Sequence, residues 1–280
     1  MRIKITSDST CDLTSQQLQQ HSITAIPLYI NIGEKCLRDG LDIVPDDIYA
    51  HVSGGGDICS TAACNITDYT QAFDSFSREY DAVIHMNISS DFSSCHQNAC
   101  LAAQEFDNVY VVDSRNLTTG HGHLVMRCTK LAESGMDPLA IVEDLNAFVS
   151  KVDTSFILSQ LEYLKKGGRC SSVAALGTNL LGLKPCIEVV DGKMKVGKKY
   201  RGSYEKCLEQ YIRDRLANID ELDLERIFIT HSGVEEKALQ LAQQLVSQHA
   251  NFQDVVISRA GCTISSHCGP GTMGIIFVRK

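Results

Sequence analysis

Strand-like and helix-like patterns alternate along most of this chain, and that alternation limits the fold more than any composition figure does. Residues 2–6 read as a strand. Thr14-Ser15-Gln16-Gln17 is a capping-box pattern that opens a helix. Residues 24–32 read as extended, a helix follows Pro45, and residues 67–79 carry an amphipathic period. Ala82 to Ile88 is an apolar run suited to a parallel strand buried on both faces. A helix over about 92–105, a strand at 109–112 and helices over about 118–134 and 138–150 follow. Strands separated by helices imply a parallel sheet covered on both sides.

The second half reads differently. A strand at 155–158 and a short helix at 159–166 precede two extended runs, 185–190 and 193–200, that flank Asp191-Gly192. That dipeptide between extended runs signals a hairpin. Helices near 203–217 and 234–249 alternate with strands at 227–230, 255–258 and 274–279. A hairpin among α/β units predicts a mixed sheet with helices on one face. The expected organisation is therefore two α/β domains, 1–152 and 153–280, with their interface as the natural place for a cavity.

A chain of 280 residues suits one large or two medium domains. It contains no unbroken apolar stretch near the ~20 residues that span a membrane. Its opening, Met1-Arg2-Ile3-Lys4-Ile5-Thr6-Ser7-Asp8, carries no apolar signal core, so a cytoplasmic location is expected. Twelve cysteines without a CxxC pair or regular spacing are expected to be reduced thiols acting as small hydrophobes. A net charge of −8 argues against a general nucleic-acid binder. The charge is uneven, because the segment from Lys165 to Arg201 holds nine basic and two acidic residues, +7 in all, leaving −15 for the rest. That segment is either a solvated lysine-rich hairpin or a docking surface for an anionic ligand or acidic partner.

Ligands of open parallel sheets gather beyond the carboxyl ends of the strands. Three such ends here carry hydroxyls and acids: Ser7-Asp8-Ser9-Thr10, Ser89-Ser90-Asp91-Phe92-Ser93-Ser94 and Asp113-Ser114. Most of these read equally as caps and turns. Ser93 stands out, because a helix expected from Phe92 puts it in the first turn, where free N–H groups favour a carboxylate. Near the C-terminus, Gly269, Gly271 and Gly274 spell GxGxxG, but no helix opens there and the chain ends six residues later. A dinucleotide site is rejected on that ground. The glycines suit a tight turn beside a ligand, from which His267 can donate to a carboxylate. Cys262, His267 and Cys268 lack zinc-ligand spacing, and His121-Gly122-His123 offers only two ligands, so no metal is expected. There is no GxSxG elbow and no phosphate-binding GxxxxGK[ST] loop. A Ser93/His267/Asp8 hydrolase arrangement remains conceivable.

Taken in order, these segments resemble the DegV family of bacterial fatty-acid-binding proteins. Ser7-Asp8-Ser9-Thr10 resembles the family's opening DST. Thr61-Ala62-Ala63-Cys64-Asn65 stands where the family reads TSQPS, and Ser89-Ser90-Asp91-Phe92-Ser93 is similar to its SSxLSGTY segment. Asp113-Ser114 matches VDS, and Leu161-Glu162-Tyr163-Leu164-Lys165-Lys166-Gly167-Gly168-Arg169 is close to its most recognisable run. Lys184-Pro185, Asp191-Gly192 and Arg201 follow, and His267-Cys268-Gly269-Pro270-Gly271 matches the HxGPG turn. Two departures are evident: Thr61 lacks its following Ser, Gln and Pro, and Ser94-Cys95-His96 replaces Gly-Thr-Tyr.

The resemblance implies a two-domain fold, a three-layer α/β/α unit with a parallel sheet followed by a two-layer unit with a mixed sheet, and a lipid cavity between them. It implies that Thr61, Ser93 and His267 hold a fatty acid carboxylate, with Ser9, Thr10, Ser94, Gly269 and Gly271 nearby. Arg169 and Arg201 would lie at the cavity mouth or partner surface. It also implies a carrier rather than an enzyme, delivering the bound acid to a separate ATP-dependent kinase that phosphorylates the carboxyl group. No cofactor beyond the fatty acid is expected. The alternative is a stand-alone acyl hydrolase or phosphotransferase using Ser93 and His267.

Overall fold

The computed structural model describes residues 1–171 and 183–280. Strands β1 (Ile3–Asp8), β2 (Thr24–Ile26), β6 (Ala82–Asn87) and β7 (Val109–Asp113) form a sheet in the order β2-β1-β6-β7, with every pairing parallel. All six residues of β6 are buried, as a strand covered on both faces requires. One face is covered by α3 (Ile66–Glu79) and α4 (Cys95–Ala103), where Tyr69, Phe73 and Ala99 pack on Val83. The opposite face is covered by α5 (Thr118–Glu133) and α6 (Pro138–Phe148), where Leu124, Val125, Ile141 and Leu145 pack on Ile5, Ile84 and Met86. This is the expected three-layer arrangement. A short helix α1 (Ser15–Gln20) carries the capping box read from Thr14 and Gln17.

The second sheet is mixed. Its order is β10 (Lys193–Arg201), β9 (Leu183–Val190), β8 (Val152–Ile157), β13 (Thr272–Arg279), β11 (Leu222–Ser232) and β12 (Asp254–Arg259). Only β11 and β12 pair in parallel; the other neighbours run antiparallel. The β9–β10 hairpin turns at Asp191 and Gly192, both with positive φ, as a type I′ turn needs. Helices α8 (Tyr204–Arg215) and α9 (Glu236–His249) cover one face, burying Leu208, Tyr211, Ala242 and Val246. The other face is covered by the first sheet's helices and loops. Phe156 and Ile187 join the cluster holding Tyr69 and Phe73, while Phe228 and Ile276 join the one holding Leu124. Hydrophobic packing is thus continuous across the seam.

A third, small sheet was not expected. β3 (Tyr29–Ile32), β4 (Lys35–Arg38) and β5 (Ser60–Ala62) form an antiparallel trio in the order β4-β3-β5, with α2 (Pro45–Ser53) beside it. The extended run 24–32 is therefore two strands in two sheets. Pro27, which has no N–H to give a ladder, lies at the break. Another correction concerns α4. It starts at Cys95, because Phe92 and Ser93 donate their N–H groups to Ser89 O in a tight turn. Ser93 therefore precedes the helix instead of lying in its first turn. A third correction concerns His267, which sits in the last turn of a short helix, α10 (Cys262–Cys268), and not in a turn. α7 (Leu161–Gly167) packs against α10.

Candidate functional site

The residues read from sequence converge on one cavity of about 120 Å³. Thr61, Ser93, Ser94, Arg169 and His267 line it, together with apolar Ile88, Phe92, Leu117, Leu164, Met194 and Ile264. They arrive from five directions. Thr61 is on β5, paired opposite Ile30 of β3. Ser93 ends the turn after β6, Arg169 follows α7, Met194 comes from β10, and His267 ends α10. Thr263 adds a further polar side chain, and the rest of the wall is apolar, which suits a ligand with one polar end.

Thr61 Oγ1 and His267 Nε2 are hydrogen-bonded at 2.8 Å. His267 Nδ1 is buried without a partner and faces Gly167, where an added Cβ would lie 2.2 Å from it. Burial, with a smaller contribution from the nearby Arg169 charge, pushes the imidazole down to about 4, so the ring is neutral at physiological pH. A neutral ring carries one N–H. Placing it on Nδ1 would strand a donor against Gly167, and orphaned donors are rarer than under-used acceptors. The proton is therefore assigned to Nε2, donating to Thr61 Oγ1 and leaving the threonine hydroxyl hydrogen free to point into the cavity. Ser93 Oγ accepts the Cys95 N–H at 3.2 Å and donates its hydroxyl hydrogen to Cys95 Sγ at 3.1 Å. Cys95 in turn shares a hydrogen bond with Cys64, which lowers its pKa and raises that of Cys64. Arg169 donates Nη1 to Gly167 O at 2.7 Å and Nε to Phe92 O at 3.4 Å, which brings its guanidinium to the cavity wall while it stays exposed to solvent.

Other residues singled out in the sequence lie elsewhere. Asp8 is fully buried and accepts the N–H groups of Thr10 and Ile88, so the Ser7–Thr10 run ties the end of β1 to the end of β6. Thr10 Oγ1 also bonds Asp8, and Ser9 Oγ donates to Asp39 at 3.1 Å; neither residue is in the cavity wall. Gly269 has φ +68 and a Cβ there would strike the Tyr163 ring, so glycine is dictated by backbone and packing together. Gly271 borders a separate surface groove with Ser159 and Tyr204. Arg201 is exposed at the end of β10 and is not in the cavity wall. His121 bonds Ser7 and His123 bonds Ile276 O, both buried. Among the described residues no cluster of three or more His, Cys, Asp or Glu side chains could hold a metal.

Sequence reasoning missed Asp12 and Asp39. Asp39 accepts the backbone N–H groups of Cys262 and Thr263 at 2.8 and 3.0 Å and the Thr263 hydroxyl at 2.7 Å. Asp12 accepts the Gly261 N–H at 2.9 Å and the Thr118 hydroxyl at 2.5 Å. Only the three-dimensional meeting of residues more than 220 positions apart reveals them.

A second void of about 20 Å³ lies beside the first, behind shared wall residues. The two share Leu117, Ile264 and Cys268, and the second is bordered by Phe156, Ala260, Gly274 and Ile276.

Comparison with known proteins follows the same lines. The family model described as "Uncharacterised protein, DegV family" matches residues 2–280. A DegV domain-containing protein of Deinococcus radiodurans is 31% identical, over 98% of this chain and 98% of that protein. The DegV family protein of Thermus thermophilus, whose structure is described as showing fatty acid binding, is 30% identical with a TM-score of 0.92 and full coverage of both chains. A stearic acid-binding protein of Eubacterium ventriosum is 26% identical with a TM-score of 0.86, covering 99% of this chain and 98% of that one.

Proposed function

The chain belongs to the DegV family, and on that premise we propose that it holds a long-chain fatty acid, with the carboxylate at Thr61, Ser93 and His267 and the acyl tail between two lobes, residues 1–152 and 153–280. The observation that carries this reading is the Thr61–His267 hydrogen bond at the polar end of an otherwise apolar cavity. The threonine hydroxyl, together with the Ser93 hydroxyl once it turns from Cys95 Sγ, acts as a neutral donor to one carboxylate, and Arg169 at the cavity wall supplies a solvent-screened counter-charge. Burial of each CH₂ contributes about 0.8 kcal/mol, so a long tail supplies on the order of 10 kcal/mol before ordering costs. A hydrogen bond to a charged group nets roughly 1.5–3 kcal/mol. Tail burial therefore sets affinity, and the polar residues set orientation.

The cavity is smaller than the ~150 Å³ apolar void that admits a benzene ring. It accommodates the carboxyl end and the first methylenes. The rest of the tail follows the path toward the second void, with Leu117, Ile264 and Cys268 moving aside.

The chain acts as a carrier that presents the carboxylate to a separate ATP-dependent kinase in the cytoplasm. Neutral donors leave the carboxylate oxygen nucleophilic, where a bidentate arginine would hold it tightly. Arg169, Arg201 and the β10 lysines are all exposed, which suits docking of an acidic partner. Twelve free cysteines, ten of them buried, fit a reducing compartment. A stand-alone hydrolase fits less well, because His267 Nδ1 faces Gly167, whereas Asp8 lies 3.7 Å from His121. No carboxylate orients the histidine toward Ser93 as a triad requires.

Native mass spectrometry of the purified protein, followed by single-turnover phosphorylation with ATP and the cognate kinase, tests the reading. Wild-type protein carries a fatty acid. Thr61→Ala with Ser93→Ala retains part of the lipid binding and loses phosphorylation, while Arg169→Ala raises the concentration of kinase needed, an effect that added salt reproduces. Normal turnover in the double variant would rule the carboxylate site out.

A further inference from the structure

We infer that Asp39 is the positioning residue of the carboxylate site: it fixes helix α10 to the small β4-β3-β5 sheet and thereby holds His267 against Thr61. The inference rests on the reading of Thr61, held by His267, as a carboxylate ligand. Helix α10 has Gly261 at its N-cap and no side-chain cap of its own. Its first turn is capped instead by two acids from the other end of the chain. Asp39 accepts from Cys262 N, Thr263 N and Thr263 Oγ1, and from Ser9 Oγ, and is only 5% exposed. Asp12 accepts from Gly261 N. Four donors on one enclosed carboxylate make an anchor with little freedom to shift.

Asp39 follows β4 directly, and Thr61 is in β5 of the same sheet. The sheet therefore holds α10 at both ends, by Asp39 at the first turn and by Thr61 at the last. At the Asp39 end Cys262 also packs with Ile30, Ile43, Ile48 and Cys59, and its thiol donates to Ile43 O at 3.2 Å. A helix of seven residues gripped at both ends is a rigid spacer. Any loosening at Asp39 is carried along that spacer to the imidazole, whose remaining neighbours are Gly167 on one edge and the cavity on the other. Thr263, which Asp39 holds, also lines the cavity.

The test compares full-length wild type, Asp39→Asn, Thr61→Ala and His267→Gln by stearate titration and by NMR of the His267 ring. An asparagine keeps the shape but lacks the charge and one acceptor oxygen. Asp39→Asn is expected to weaken stearate binding about tenfold, the loss of one charged hydrogen bond, and to move the ring titration of His267 up toward its ordinary range. A merely structural role would lower thermal stability without moving that titration in the folded protein. If Asp39→Asn does not fold, Thr263→Ala removes a single donor and is expected to give the same two changes at smaller size. A folded Asp39→Asn protein, or Thr263→Ala in its place, with wild-type His267 signals overturns the inference. If His267 shifts in Asp39→Asn while Thr61→Ala and His267→Gln still bind stearate as wild type does, the positioning stands and the carboxylate assignment fails.

Discussion

At the scale of single residues, the site depends on what is missing beside His267 as much as on what is present. Gly167 leaves space for the Nδ1 edge of the ring, and a methyl group there would sit 2.2 Å from the nitrogen. The ring cannot retreat without losing its 2.8 Å bond to Thr61. Gly167→Ala is therefore expected to displace His267 and weaken fatty acid binding about tenfold, although residue 167 contributes no polar side-chain atom to the site. Isothermal titration with stearate measures this, and an unchanged affinity would show that the ring position does not matter. The run Lys165-Lys166-Gly167-Gly168-Arg169 was legible in the sequence as a family signature, but not why its first glycine is needed. That reason lies in His267, 100 positions away, and no local pattern carries it.

At the scale of elements, pieces with a local signal were legible, including the short helices α1 and α7, while the small sheet and α10 were not. β6 was read from its unbroken apolar run and the β9–β10 hairpin from Asp191-Gly192 at its turn. The small sheet and α10 escaped because three- and four-residue strands and a seven-residue helix hold too few repeats to show a period. Their stability comes from each other and from Asp12 and Asp39, contacts between distant parts of the chain. Thr61, Ser93 and His267 were nevertheless legible as a set through ordered motifs, while their supporting elements were misjudged. The same scale governs tail length. Ala260 borders the second void beside Phe156 and Ile276 and is itself buried. Ala260→Leu fills that void and should shift bound lipid toward shorter chains without abolishing binding. Native mass spectrometry of the copurified acid reads the shift; an unaltered chain-length profile would place the tail along another route.

At the scale of the whole molecule, buried histidines make folding sensitive to acid. His85 and His123 are buried, and desolvation pushes their imidazoles down to about 3 and about 4, from an ordinary 6.5. At His85 the hydrogen bonds point the same way. Nε2 accepts from the Asn87 amide, so Nδ1 donates to Thr6 Oγ1, and a second ring proton would face a donor. For both rings the folded pKa lies below the unfolded one. Their contribution is complete above pH 6.5, and it is lost as pH falls toward 4, because the unfolded chain binds protons that the folded protein refuses. Asp12 works in the opposite direction. Its carboxyl is raised by burial, so below its folded pKa the native state takes a proton more readily than the unfolded chain does, until the unfolded carboxyl also protonates. His121, His231 and His267 are lowered by burial as well, so one such acid offsets only a small part of what the histidines withdraw. Each full proton of difference changes stability by about 1.4 kcal/mol per pH unit. Urea denaturation at pH 7 and pH 5 should therefore show a loss of roughly 3 kcal/mol or more. His123→Gln keeps a donor for Ile276 O, bonded at 3.2 Å, and removes the titration. Its pH slope should be shallower than that of wild type by up to one proton's share. Equal slopes in the two proteins would mean that His123 takes up its proton without unfolding, and that the enclosed seam between the sheets admits a charge.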